Sequence, residues 1–175
     1  MLTINKAVLL VAVLGLAACN NPNKYGGANG MGGANGVGGN GIASGNLGDP
    51  SNPNSPAYFN QTVGNQVLFT VDQSTLTPEA QAILTKQAVW LNSRREYAIL
   101  IEGNADERGT REYNLALGAR RASAVKEFLS GQGVASSRMK TISYGKERPV
   151  ATCPEESCMA QNRRAVTVLS QGLNG

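Results

Sequence analysis

Residues 24–48 carry eleven glycines, recurrent asparagine and, after Lys24, no charge. A stretch of this composition cannot bury enough apolar surface to offset the entropy of ordering its backbone. It therefore divides the 175-residue chain. The one segment long enough to close a single core is residues 57–175. Residues 19–56 read as a flexible tether. For its roughly 38 residues, a coil spans on the order of 35 Å. The Gly-x-x-Gly spacings in it follow no strand and lie on no apolar helix, so neither a phosphate loop nor a helix-packing motif fits.

The segment before the tether is an address. Lys6 supplies a short positive region and residues 7–17 an apolar run of secretory-signal length. Leu16-Ala17-Ala18-Cys19 then places small residues directly before a cysteine, the pattern of the bacterial lipobox. Residues 1–18 are expected to be removed as a lipoprotein signal peptide and Cys19 acylated. The alternatives are an ordinary signal peptide with an incidental cysteine, or a short membrane anchor. Two or three acyl chains, at about 0.8 kcal/mol per buried methylene, make attachment nearly permanent. Asn20 stands where an aspartate would resemble an inner-membrane retention signal, which favours the outer membrane.

Composition removes several chemistries. The chain has no histidine. That excludes Ser-His-Asp and Cys-His hydrolases and His-ligated zinc. Its three cysteines cannot make a four-Cys zinc site. The net charge of +4 is mildly basic, but an export signal argues against nucleic acid as the partner.

Within residues 57–175 the pattern is mixed. Residues 67–71 read as a short buried strand. Thr77-Pro78-Glu79 starts a helix, with threonine as cap, proline in the first turn and an acid near the positive end of the dipole, running to about Asn92. Residues 97–103 form a second strand and 104–112 a polar loop. A second helix spans about 113–130. Residues 140–144 and 165–170 are two further strands, separated by a long loop. The order β-α-β-α-β-β predicts an α+β domain, one mixed sheet with helices packed on one face. Trp90 reads as core or its rim, and Arg94-Arg95-Glu96 as a solvated turn.

The second helix is the informative element. At about 100° per residue, Leu115, Gly118, Ala119, Ala122, Val125, Phe128 and Leu129 form an apolar arc. Arg121 falls inside that arc, with Asn114 on the same line, whereas Arg120 falls on the wet face. A guanidinium in an apolar setting needs a charged partner. Asp106 ends the second strand near a helix N-terminus, so Asp106 and Arg121 are expected to face each other across a small cleft. Either they form a structural salt bridge, or they hold a zwitterion, Asp106 on its ammonium and Arg121 on its carboxylate. Asp72 is a candidate third wall.

Four motifs now stand together. They are Asp106-Glu-Arg-Gly-Thr110; Tyr113-Asn114, Leu117-Gly118, Arg121-Ala122 and Val125 on one helix; Ser143-Tyr-Gly-Lys-Glu147; and Asn162-Arg163-Arg164. Over roughly residues 65–170 the chain resembles the OmpA-like peptidoglycan-binding domains, in the form carried by the peptidoglycan-associated lipoproteins (Pal). The resemblance implies a non-enzymatic protein without cofactor that binds the diaminopimelate of the cell-wall stem peptide. It implies ligand-gripping roles for Asp106 and Arg121, and places Asp72, Thr110 and Asn114 at positions that line or shape the site. It gives Asn162 and Arg164 a bracing role. It also implies partners in the Tol system, notably TolB, and a role in holding the outer membrane to the wall during constriction at division.

Two departures from that family pattern stand out. Asn104 replaces the histidine that many members carry, so no pH-sensitive contact is expected there. Cys153-Pro-Glu-Glu-Ser-Cys158 is not a general feature of the family. In an oxidising compartment a Cys153–Cys158 disulfide is the first expectation, contributing roughly 2 kcal/mol across so short a loop. A metal role would need more ligands. Two other function classes remain: an envelope hydrolase using the Asp106 and Glu107 carboxylates, and an interaction module with a vestigial pocket. Adjacent residues in a turn rarely converge on one bond, which disfavours the hydrolase.

Overall fold

The computed structural model describes residues 48–171. The signal, Cys19 and the tether up to residue 47 lie outside the described residues. The elements are α1 (Pro56–Tyr58), running into a π-helical segment (Phe59–Gly64); β1 (Gln66–Leu68); α2 (Pro78–Ser93); β2 (Tyr97–Asn104); α3 (Arg111–Gly131); a 3-10 turn (Ser136–Arg138); β3 (Met139–Gly145); α4 (Glu156–Asn162); and β4 (Arg164–Gln171). The strands form one open sheet in the order β1-β4-β2-β3. Strand β4 runs antiparallel to both of its neighbours, while β2 and β3 are parallel. This is the α+β fold expected, with one mixed sheet. Strand β2 alternates as a half-covered strand must: Tyr97, Ile99 and Ile101 are buried, while Ala98, Leu100 and Glu102 are only partly so. Its buried residues join those of α2 and α3 in one core.

Helix α2 starts where its cap residues place it. Thr77 accepts a hydrogen bond from the Ala80 amide at 3.2 Å. Trp90 is core. Its ring packs between Phe59 and Tyr97, with centroids 4.9 and 5.6 Å away, and its indole N–H donates to the Pro53 carbonyl at 2.8 Å. Ser55 is buried and caps α1 through the Tyr58 amide. Residues 53–56, assigned by composition to the end of the tether, therefore pack against the domain, because a buried indole donor needs an acceptor.

Helix α3 begins earlier than periodicity suggests, since Thr110 is its N-cap and accepts from the Tyr113 amide at 3.2 Å. Its buried face is Asn114, Leu117, Gly118, Arg121, Ala122, Val125 and Leu129. Leu115 and Ala119, placed in the apolar arc by sequence, are exposed. A close approach explains the rotation. A Cβ on Gly103 of β2 would overlap the Gly118 carbonyl, and one on Gly118 would stand 2.7 Å from the Gly103 carbonyl oxygen and collide with Ser143 Oγ. Two glycines let helix and strand touch backbone to backbone, which turns the polar Asn114–Arg121 line inward.

Two further differences bear on the site. Strand β1 ends at Leu68 rather than residue 71, because the chain beyond it peels away and offers its carbonyls to Arg121 instead of a neighbouring strand. The long loop between β3 and β4 contains α4, a helix with no side-chain N-cap bond and hence no clear sequence signal.

Candidate functional site

Arg121 is fully buried. Its guanidinium donates to three backbone carbonyls: Gln73 at 2.8 Å, Asn104 at 2.8 Å and Thr70 at 3.2 Å. It also lies 5.1 Å from the Phe69 ring centroid. It forms no ion pair with any carboxylate of the described residues. Burial pushes its pKa down to about 10, opposed by the charge of Asp106, so it stays charged at neutral pH.

Asp106 has other partners than the one expected. Its Oδ2 accepts from Arg108 at 2.5 Å and from Arg163 at 3.1 Å. Of the two alternatives for Asp106 and Arg121, the structural salt bridge is not formed: Arg108 and Arg163 hold the carboxylate instead. Burial pushes the Asp106 pKa up, but the hydrogen bonds from Arg108 and Arg163 outweigh it, and the net shift is downward. Arg163 is buried and also donates to the Phe69 carbonyl and, at 2.6 Å, to Glu156.

Beside this network lies a cleft of about 260 Å³. Asp72, Asp106, Arg108, Tyr113 and Asn114 form its polar wall, and Val71 and Leu117 line it with apolar surface. Asp72 has φ of +58°, a left-handed turn that aspartate tolerates, and its carboxylate accepts from the Tyr113 hydroxyl. That bond raises the Tyr113 pKa. Gly109 (φ +86°) turns the chain between Arg108 and the helix cap. Asn114 is buried and donates to the Arg108 carbonyl at 2.6 Å, which fixes the 106–109 turn against α3.

Of the residues singled out by sequence, the cleft gathers Asp72, Asp106 and Asn114. Arg121 stands outside its lining, and Thr110 caps α3 rather than lining the cleft. Asn162 accepts from the Val150 and Ala151 amides and donates to the Ala151 carbonyl, pinning the β3–α4 loop. Arg164 donates to the carbonyls of Asn162 and Arg148. Cys153 and Cys158 are bonded, with Cα atoms 5.7 Å apart.

Sequence reasoning passed over Arg108, Tyr113, Arg163 and Glu156. A signal for Arg163 was present. It stands in the Asn162-Arg163-Arg164 motif, directly before β4. No comparable signal marks Glu156, whose position depends on α4.

With this geometry in hand, comparison with known proteins is specific. The OmpA family pattern matches residues 68–163, more than half of the chain. The peptidoglycan-associated lipoprotein of Mesorhizobium japonicum is 50% identical over 163 residues, 93% of this chain and 90% of that one. Its counterpart in Agrobacterium fabrum is 58% identical over 119 residues, 68% of this chain and 67% of that one. The crystal structure of the peptidoglycan-associated lipoprotein from Burkholderia pseudomallei superposes with a TM-score of 0.62 at 46% identity, covering 70% of this chain and 100% of that one. This is a structural, non-enzymatic family, and the hydrolase reading falls away. The chain belongs to the OmpA family and, within it, to the peptidoglycan-associated lipoproteins.

Proposed function

We propose that this protein is anchored to the outer membrane by lipid on Cys19 and grips the cell wall without covalent chemistry. Its ligand is the free end of diaminopimelate in the stem peptide, an ammonium and a carboxylate on one carbon. The observation that carries this reading is the mixed charge of a single small cleft, with Asp72, Asp106 and Arg108 on its wall. The carboxylates of Asp72 and Asp106 receive the ammonium. Arg108 meets the ligand carboxylate at the rim. Arg121 supplies positive charge from behind the wall, held by carbonyls and in no ion pair with a carboxylate of the described residues. A low-dielectric wall makes such a charge felt further than it would be in water.

In this reading the tether lets one molecule span from membrane to wall, and the Tol system, through TolB, is the protein partner during constriction at division. The test is co-sedimentation of residues 48–171 with purified wall sacculi. Retention on diaminopimelate walls and not on walls with lysine at that position is expected, since lysine lacks the second carboxylate. Equal retention on both overturns the zwitterion reading.

A further inference from the structure

Glu156 sits in the first turn of α4, inside the ring closed by the Cys153–Cys158 bond. Its two oxygens divide between two arginines. One accepts from Arg163 Nη2 at 2.6 Å, and the other lies 3.6 Å from Arg108 Nη1. The same two guanidiniums converge on Asp106 Oδ2. Two arginines thus bridge two carboxylates in a closed square, with Asp106 facing the cleft and Glu156 on the solvent side, its side chain 60% exposed.

The charge count gives this square a consequence. Asp106 alone against Arg108 and Arg163 leaves a net positive corner, which repels an ammonium and welcomes any plain anion. With Glu156 the corner is neutral. Asp72 and the buried Arg121 then add one charge of each sign, so these six groups sum to zero, a pairing of both signs that suits a zwitterion. The nearby Arg111 and Glu147 pair with each other at 3.2 Å and leave the balance unchanged. The Lys146 ammonium is turned onto the carbonyls of Glu107 and Gly109.

We propose that Glu156 is a specificity-determining residue of the cleft, acting through Arg108 and Arg163, and that the Cys153–Cys158 ring is the brace that holds it there. This rests on the reading of the cleft as a zwitterion site. A long, half-exposed side chain left to itself loses much of an ion pair's worth to rotamer entropy. A closed ring of six residues at the start of α4 fixes its backbone and lowers that loss. Glu156 does not touch the ligand. It sets which ligand the arginines leave room for.

The experiment measures calorimetric binding of two probes to the full chain in detergent micelles. One is a diaminopimelate tripeptide with its free ammonium. The other is the same peptide acetylated on that nitrogen, which keeps the carboxylate and loses the positive charge. The wild type is expected to prefer the first. In Glu156→Gln the preference falls roughly two- to fivefold, the scale of a half-exposed ion pair, with the acetylated peptide gaining and the free one losing. The Cys153→Ser/Cys158→Ser variant shifts the preference in the same direction, and adds no shift in a Glu156→Gln background. An unchanged preference in Glu156→Gln overturns the role of Glu156. A shift by the serine pair that persists without Glu156 overturns the role of the ring. A wild type that binds both peptides equally, or neither, refutes the cleft reading itself, which separates the two failures.

Discussion

Replacing Arg121 by alanine tests the physical centre of the structure. The side chain is fully buried and donates to the carbonyls of Thr70, Gln73 and Asn104. Each orphaned acceptor costs about 1–3 kcal/mol. Two of the three lie in the segment between β1 and α2, which can relax toward water and recover part of its loss. Removing a desolvated charge also relieves the penalty that pulls its pKa to about 10. The opposing effects leave an expected loss of about 3 kcal/mol in folding stability. Arg121→Lys keeps the charge but replaces a planar fork by a single ammonium, which cannot serve three divergent carbonyls, and about 2 kcal/mol is expected. Arg120→Ala, one residue away and exposed, should fall within about 0.5 kcal/mol of wild type. Urea unfolding of residues 48–171 at neutral pH reads all three as midpoint shifts at constant slope. If Arg121→Ala loses less than about 1 kcal/mol, or matches Arg120→Ala, the carbonyl clamp does not hold the two sides of the cleft together.

Gly118→Ala places a methyl against Ser143 Oγ and the Gly103 carbonyl; a loss of about 2–3 kcal/mol is expected by thermal melting, while Gly131→Ala, with open space around it, should be neutral or stabilising. Asp106→Asn removes the negative charge that buried Arg163 shares with Arg108 and should cost about 2 kcal/mol at neutral pH in the same urea assay. The Asp106 pKa is depressed below 3.8 in the folded state, so its contribution is complete above that value and is lost as pH falls through the folded pKa. The stability gap between wild type and Asp106→Asn should therefore close on acidification below about pH 4; a gap constant down to pH 2 refutes the ion-pair assignment. A chain begun at residue 57 lacks the Pro53 acceptor for Trp90 and should melt below one begun at 48, with altered tryptophan fluorescence.

Much of this was legible before any coordinates. The Thr77-Pro78-Glu79 start, the strand at 97–103 and the anomaly of Arg121 on an apolar arc follow from periodicity and cap chemistry, which are local. Nothing local told that Arg121 would be met by carbonyls rather than by Asp106. That depends on where residues 70–73 pass, and they pass there because β1 stops early. The rotation of α3 was hidden for a related reason. Hydrophobicity scales see Leu115 and Ala119 as core, whereas the contact is set by two small residues, Gly103 and Gly118, far apart in sequence. Asp72, Asp106 and Asn114 line one cleft. Arg108 and Glu156 did not declare themselves, because a charged residue in an exposed loop looks the same whether or not it is tied to another.

The place of β4 governs when this molecule can assemble. Among the described residues it is the last element, yet it is the strand that joins β1 to β2. A polypeptide that emerges N-terminus first holds β1 and the β2–β3 pair as separate fragments with no shared ladder until residues 164–171 arrive. Closure must then span nearly the whole domain, a long-range pairing of the kind that makes folding slow. Until that moment the apolar side of the half-made sheet stays open to chaperones and proteases, and a chain cut before Arg164 cannot join β1 to the β2–β3 pair.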